Sequence, residues 1–454
     1  MNLVYGIHDK PSFGKTLVFA IQQLLAILAA TIAVPSIIGN GMSQSAALFG
    51  AGVGTIVYLL FTKFRSPVFL GSSFAFLGSM FAAFAGAVSL EAGYVGLIIG
   101  ACFAGIVYVI IALIVKFVGV AWIDYLMPPV VIGPTVAIIG LSLASNAVSD
   151  ALAGSYSTEA SAYIMTPSVF LAFICALVTL FVVTICSVYG KKMMKLIPFI
   201  IGIAAGYAVA SIFTVIGIAT GNESLMIIDF SIFNDMKWIP DFTFITAAKG
   251  LSQITGKYIA TIAVAYVPVA FVVFAEHLAD HKNLSSVIGT DLLKDPGLHR
   301  TLLGDGVGSF AGAIFGGCPN TTYGESIGCV AITGNASVVT IFTTAIICMV
   351  ISFFGPFVTF LASIPSCVMG GVCITLYGFI AVSGLKMLQP VDLNDNCNLF
   401  TASTIFICGI GGMVIKIGDI QLTEIACALI LGIIVNLILK KGQKKEDQSE
   451  KESK

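Results

Sequence analysis

The chain has 454 residues, 58% of them apolar and only 10% Asp, Glu, Lys or Arg, and its mean hydropathy is +1.03. A soluble chain carries about 25% charged residues, so an ordinary soluble enzyme or nucleic-acid binder is excluded. The 22 basic and 23 acidic residues nearly cancel, which leaves the placement of charge rather than its sum to carry information.

The expectation is an all-α polytopic membrane protein, with apolar residues enough for about thirteen or fourteen spans of ~20 residues each. Residues 1–15, with Asp9, Lys10, Pro11 and Lys15, read as a cytoplasmic N-terminus. They lead into a long span without a small-residue cleavage site, so no removable signal peptide is expected. Apolar runs follow at 16–34, 45–62, 67–83, 93–117, 126–145, 167–189, 196–217 and 258–279. Short runs at 301–316 and 320–333 precede longer ones at 337–362, 368–383, 399–415 and 422–439. With the N-terminus inside, all but Lys237, Lys249, Lys257 and Lys416 of the 22 basic residues fall on the inner side, as the positive-inside rule requires. The tail 440–454 has no apolar residue to bury and reads as disordered and cytoplasmic. The 11 cysteines lie scattered in apolar segments with no CxxC or Cys/His cluster. They read as packing residues, and neither a metal nor a cofactor is expected.

Two segments look alike. Gly71-Ser72-Ser73-Phe74-Ala75-Phe76 in the third run and Asn320-Thr321-Thr322-Tyr323-Gly324-Glu325 in the tenth each set hydroxyl residues and an aromatic inside a short, interrupted run. Pro129-Val130-Val131-Ile132-Gly133 and Pro365-Ser366-Cys367-Val368-Met369-Gly370 likewise open the fifth span of each half. Seven spans per half is odd, so the halves must be inverted, and inverted repeats with matching broken spans point to a transporter's binding site near the midplane. Backbone N–H groups freed at a half-helix can stay unpaired in lipid only if they face a ligand or a polar cavity.

Few ionisable groups remain at membrane depth, where an acid costs ~2.5–3.5 kcal/mol on insertion scales. Glu276 ends a long apolar run and Glu325 sits inside the tenth. Glu276 and Asp280 are spaced i, i+4 and share a helix face, with His277 and His281 turned away from it. Two carboxylates in a low-dielectric cavity cannot both ionise cheaply, which makes this pair a candidate proton switch. Asp305 reads as a cap of the ninth span or the partner of a loop cation, and Gln22 and Gln23 read as interhelical hydrogen-bonding residues.

At these residues the sequence resembles the nucleobase/ascorbate transporter family (nucleobase–cation symporter 2), and within it the bacterial uracil permeases. The matching stretches are Gly71 to Phe76, Ala275-Glu276-His277, Asp291-Leu292-Leu293-Lys294-Asp295-Pro296-Gly297-Leu298-His299-Arg300, and Asn320 to Glu325. The resemblance implies fourteen spans as 7+7 inverted repeats, with spans 3 and 10 interrupted by short extended segments. It also implies a core domain (16–117 and 258–362), a gate domain (118–218 and 363–439) and an extracellular loop at 219–257. Carried onto this chain, Glu276 and Glu325 would accept from the uracil N–H groups, backbone N–H groups of Phe74 and Gly324 would donate to its carbonyls, and Tyr323 and Ala30 would line the ring. That matches the two donors and two acceptors of uracil. Glu276, Asp280 and Glu325 would carry proton coupling.

The activity implied is uracil:proton symport across the cytoplasmic membrane, with both termini inside. The partners are uracil, protons and the lipid bilayer, with a gate-domain homodimer left open. The alternative is a xanthine or other purine carrier on the same fold, disfavoured because purine carriers of this type generally have Gln where this chain has Glu325. An anion carrier is disfavoured by the two acids. A membrane-embedded enzyme would need a nucleophile–base pair or a metal cluster at membrane depth. The chain departs from the family pattern at Asp280, where some relatives carry His, and at Ser326, where Asn is common.

Overall fold

The computed structural model describes residues 3–191, 193–417 and 420–452. The first stretch holds α1 (Phe13–Ile38), α2 (Gln44–Phe61), strand β1 (Leu70–Ser72), α3 (Leu77–Ala85) and α4 (Leu90–Val118). Next come α5 (Ala121–Leu126), α6 (Pro129–Ser142), α7 (Ala144–Ala151), the hairpin β2 (Tyr156–Ser157) and β3 (Ala162–Tyr163), α8 (Pro167–Tyr189), α9 (Met193–Leu196) and α10 (Pro198–Thr220). There follow α11 (Thr243–Gly250), α12 (Gly256–Ile288), α13 (Leu298–Gly316), strand β4 (Asn320–Thr322), α14 (Gly324–Thr333), α15 (Val338–Ile351) and α16 (Gly355–Ala362). The chain closes with α17 (Ser366–Met387), α18 (Asn396–Ile410), the hairpin β5 (Ile415–Ile417) and β6 (Ile420–Leu422), and α19 (Glu424–Glu452).

Each expected apolar run contains a helix, and local chemistry sets many of the ends. Ser43, Ser89, Thr166 and Thr255 accept backbone N–H bonds as N-caps. Proline opens α6, α8 and α10, where its missing N–H is harmless. Gly289, Gly317 and Gly334 close α12, α13 and α14 in the left-handed conformation that a side chain resists.

Among the described residues, eight helices are long and apolar enough to cross a membrane, with α6 and α7 counted together, and a ninth if α15 and α16 form one span. The remaining expected spans are β1 with α3, α13, β4 with α14, α18, and α19. Three features differ from the sequence reading. The run at 337–362 is bent by 84° between α15 and α16, where the first helix stops at Ile351 and Gly355 and Pro356 start the second. The loop at 219–257 carries α11, packed on α4. The last helix continues past Leu439 to Glu452, where Lys, Gln and Glu, good helix formers, outnumber the single Gly442 and no proline intervenes.

At the centre, β1 and β4 pair antiparallel, with Leu70 opposite Thr322, Gly71 opposite Thr321 and Ser72 opposite Asn320. All six residues are buried. A two-stranded ribbon inside a helical bundle needs partners for its outer edges. Thr55 of α2 supplies one, its Oγ1 accepting from Leu70 N at 2.9 Å and donating to Leu70 O at 3.2 Å. Asn320 Nδ2 donates to Gly50 O at 3.0 Å. Helices α2 and α13 approach so closely that a Cβ on Gly54 would lie 2.8 Å from Gly308 O, the small-residue contact that helices in lipid favour.

The densest packing falls into two groups. Helix α13 packs on α2 and α4, α12 on α4, and α15 on α1 and α2; separately, α17 packs on α6, α7 and α8, α10 on α8, and α18 on α6 and α19. Near the N-terminus the chain straps the loop after α14, with Ala336 N donating to Tyr5 O at 2.9 Å and Ser337 Oγ to Asp9 O at 2.6 Å.

Candidate functional site

Where the two groups face each other lies a cavity of about 310 Å³. One wall is a single face of α12, namely Glu276, Ala279, Asp280 and Asn283, recurring at the i, i+3, i+4, i+7 spacing of one helix stripe. A second wall comes from Phe74 and Ala75 after β1 and from Thr321 through Glu325 at the β4–α14 junction. Opposite stand Val136 and Ile139 of α6 and Phe379, Ile380, Ser383, Lys386 and Met387 of α17.

The structure thus brings Glu276, Asp280, Glu325, Phe74, Tyr323 and Gly324 into one cavity. Ala30 is buried in α1 but is not among the lining residues. Helix α14 begins at Gly324, so its first N–H groups have no intrahelical acceptor. Among the described residues, neither Phe74 N–H nor Gly324 N–H donates a hydrogen bond. No ion pair engages Glu276 or Glu325 among them. Both carboxylates are half-buried. Asp280 is held, with Thr322 Oγ1 donating to its Oδ2 at 2.7 Å. Tyr323 donates from its hydroxyl to Ser72 O at 2.8 Å, and its ring lies against Gly71, where any Cβ would collide with it. Among the described residues no cluster of three or more His, Cys, Asp or Glu groups could hold a metal ion.

Behind the carboxylate face, His277 and His281 are fully buried and stack with ring centroids 4.0 Å apart, turned away from the cavity as the helical spacing predicts. His277 Nδ1 lies 2.6 Å from Asp305 Oδ2, and its Nε2 lies 3.0 Å from Thr301 Oγ1. His281 Nδ1 donates to His277 O at 2.8 Å, and Nε2 meets the Tyr58 hydroxyl at 2.7 Å. Asp305 is therefore neither a helix cap nor the partner of a loop cation. It sits in the interior of α13, 1% exposed, because α12 presents a histidine to it.

Ser326 also has a structural part. Its Oγ accepts from Gln23 Nε2 at 2.5 Å and from Phe69 N at 3.1 Å, tying α14 to α1 and to the entry of β1. The sequence reading missed the α6 and α17 wall. Its signal is the recurrence of Phe379, Ile380, Ser383, Lys386 and Met387 at helical spacing, which in isolation also describes an ordinary span end.

The architecture is that of membrane transporters. It matches the transmembrane domain of a cyanobacterium bicarbonate transporter, BicA, with a TM-score of 0.65 at 16% identity, over 95% of this chain and 99% of that one. It matches the murine Slc26a9 anion transporter in its inward-facing state with a TM-score of 0.66 at 12% identity, over 96% and 69%. At such identity the likeness is one of fold. A model of the Permease family (Xan_ur_permease) matches residues 14–418, and the chain belongs to that family of multi-pass membrane permeases. The uracil permease of Bacillus caldolyticus is 40% identical over 444 residues, 96% of this chain and 94% of the relative. That of Bacillus subtilis (strain 168) is 39% identical, over 98% and 97%. That of Escherichia coli (strain K12) is 33% identical, over 96% and 94%.

Proposed function

We propose that this chain is a uracil permease of the cytoplasmic membrane that couples uracil entry to proton movement. The observation that carries the reading is the donor and acceptor set of the cavity: two carboxylates, Glu276 and Glu325, with two unengaged backbone N–H groups, Phe74 and Gly324. Uracil offers the complement, two N–H donors and two carbonyl acceptors. Tyr323 borders the ring, and Ala30, outside the lining, has no part in this assignment. The names of the full-length relatives support the same substrate.

Asp280, one turn from Glu276 on the same face, supports a proton role for the α12 acids together with Glu325. The bias of Lys and Arg toward alternate loops supports cytoplasmic termini. The antiparallel pairing of β1 with β4, each strand followed by a short helix, supports two inverted halves. The two packing groups support a core domain around α2, α4, α12 and α13 working against a gate around α6, α8 and α17. Proton entry yields ~2.3 kcal/mol per charge per 100 mV, enough to concentrate substrate severalfold.

The test is radiolabelled uracil uptake into proteoliposomes under an imposed pH gradient, a sodium gradient, and excess unlabelled xanthine. Uptake driven by the pH gradient and indifferent to xanthine is expected. Uptake blocked by xanthine, or driven by sodium alone, would replace the corresponding half of the reading.

A further inference from the structure

Among the described residues that line the cavity, Lys386 is the single basic one, beside three carboxylates. It stands in the last turn of α17, on the same helix stripe as Phe379, Ile380 and Ser383. It is exposed and makes no ion pair among the described residues. The α12 stripe that lines the same cavity carries Glu276 and Asp280, with Asn283 about a turn beyond Asp280. The two stripes belong to different packing groups, so any movement of one group against the other changes the distance between this ammonium and those acids.

Resting on the uracil–proton reading, we propose that Lys386 is the counter-charge of the empty carrier: when substrate and proton have left, its ammonium engages the Glu276 and Asp280 carboxylates so that the unloaded site can close and return. The physical need is direct. In the loaded state a proton neutralises one acid while uracil N–H groups occupy the oxygens of Glu276 and Glu325. After release, the same oxygens must leave water as the groups close, and a buried charge without a partner strongly opposes that step. A flexible four-carbon stem bearing a point charge can reach across a gap of changing width and let go again. Lys386 contacts no substrate atom in this assignment.

The experiment compares two transport modes in the full-length reconstituted protein. Net uptake requires the empty carrier to return, whereas exchange of labelled for unlabelled uracil at equilibrium does not. Lys386→Gln is expected to lower the ratio of net uptake to exchange about tenfold, and Lys386→Arg to keep it near the wild-type value. Lys386→Met preserves the aliphatic stem and its packing and is expected to behave as Lys386→Gln, with retained exchange reporting that the variant is folded. An unchanged ratio in Lys386→Gln, or loss of exchange in step with net uptake in both neutral variants, overturns the proposal. Absence of uracil exchange in the wild-type protein instead overturns the substrate reading on which it rests.

Discussion

The hydroxyl of Thr322 donates to Asp280 Oδ2 at 2.7 Å, joining strand β4 to the acidic face of α12 at the cavity wall. This bond makes the position of a candidate proton carrier depend on the strand that leads directly into α14, whose first turn lines the cavity. A hydrogen bond to a charged group contributes about 1.5–3 kcal/mol. Thr322→Val is therefore expected to lower uracil uptake about tenfold or more, and Thr322→Ser to restore most of it. Equal uptake by Thr322→Val and the wild type would show that the bond positions nothing.

Glu276 and Glu325 share the cavity but differ in place, one beside Asp280 on α12 and the other in the first turn of α14. Glu325→Ala is expected to abolish uracil binding measured on purified, folded protein. Glu276→Gln is expected to lose accumulation against a gradient. A steady-state accumulation ratio equal to that of the wild type would remove Glu276 from the coupling step.

Gly71 faces the Tyr323 ring, and a Cβ built there would lie 2.8 Å from the Tyr323 hydroxyl oxygen and closer still to the ring carbons. Overpacking of this kind costs about 1–3 kcal/mol. Gly71→Ala is expected to displace the ring and weaken uracil binding by about tenfold, read as a dissociation constant. Unaltered affinity would mean that Tyr323 does not border the ligand.

His277 and Asp305, 2.6 Å apart and both buried, form a contact that bulk water does not reach. Leaving one buried polar partner unsatisfied costs about 1–3 kcal/mol. Asp305→Ala is expected to lower the melting temperature of the detergent-solubilised protein, with a smaller loss for Asp305→Asn, which keeps an acceptor at the same place. Identical melting of both variants and the wild type would argue against the pairing.

Gln23 and Ser326 meet at 2.5 Å across 303 positions of sequence. Residues in direct contact couple by about 0.5–3 kcal/mol in a double-mutant cycle. The cycle of Gln23→Ala with Ser326→Ala is expected to show coupling of that size in thermal unfolding. Strict additivity would mean the contact contributes nothing to holding α14 on α1.

Much of the site is legible one segment at a time. Glu276 and Asp280 share a face because the helix repeats every 3.6 residues, and the same period turns His277 and His281 the other way. The hydroxyl–aromatic stretches announce themselves as breaks in apolar runs, and β1 and β4 occupy those breaks. The α17 wall was not legible, since Ser383 and Lys386 at the end of a span fit an interfacial turn equally well. Asp305 shows the same limit: nothing local to Leu303-Gly304-Asp305-Gly306 names a histidine 28 residues earlier as its partner.

The sequence by itself determined where the apolar runs lie, that two of them are interrupted by hydroxyl–aromatic stretches, and which few acids fall within or at the end of such runs. Each of these follows from hydropathy and periodicity over one or two helical turns or one span. Only the tertiary structure decided that β1 pairs with β4 in the register of Gly71 to Thr321, that Ser326 bridges Gln23 and Phe69, and that Lys386 shares a cavity with Glu276, Asp280 and Glu325. Those relationships join segments distant in sequence, and no local pattern encodes them. They arise when the glycine surfaces of α2 and α13 let the helices close, and the satisfied edges of a buried two-stranded ribbon then fix where the half-helix must begin.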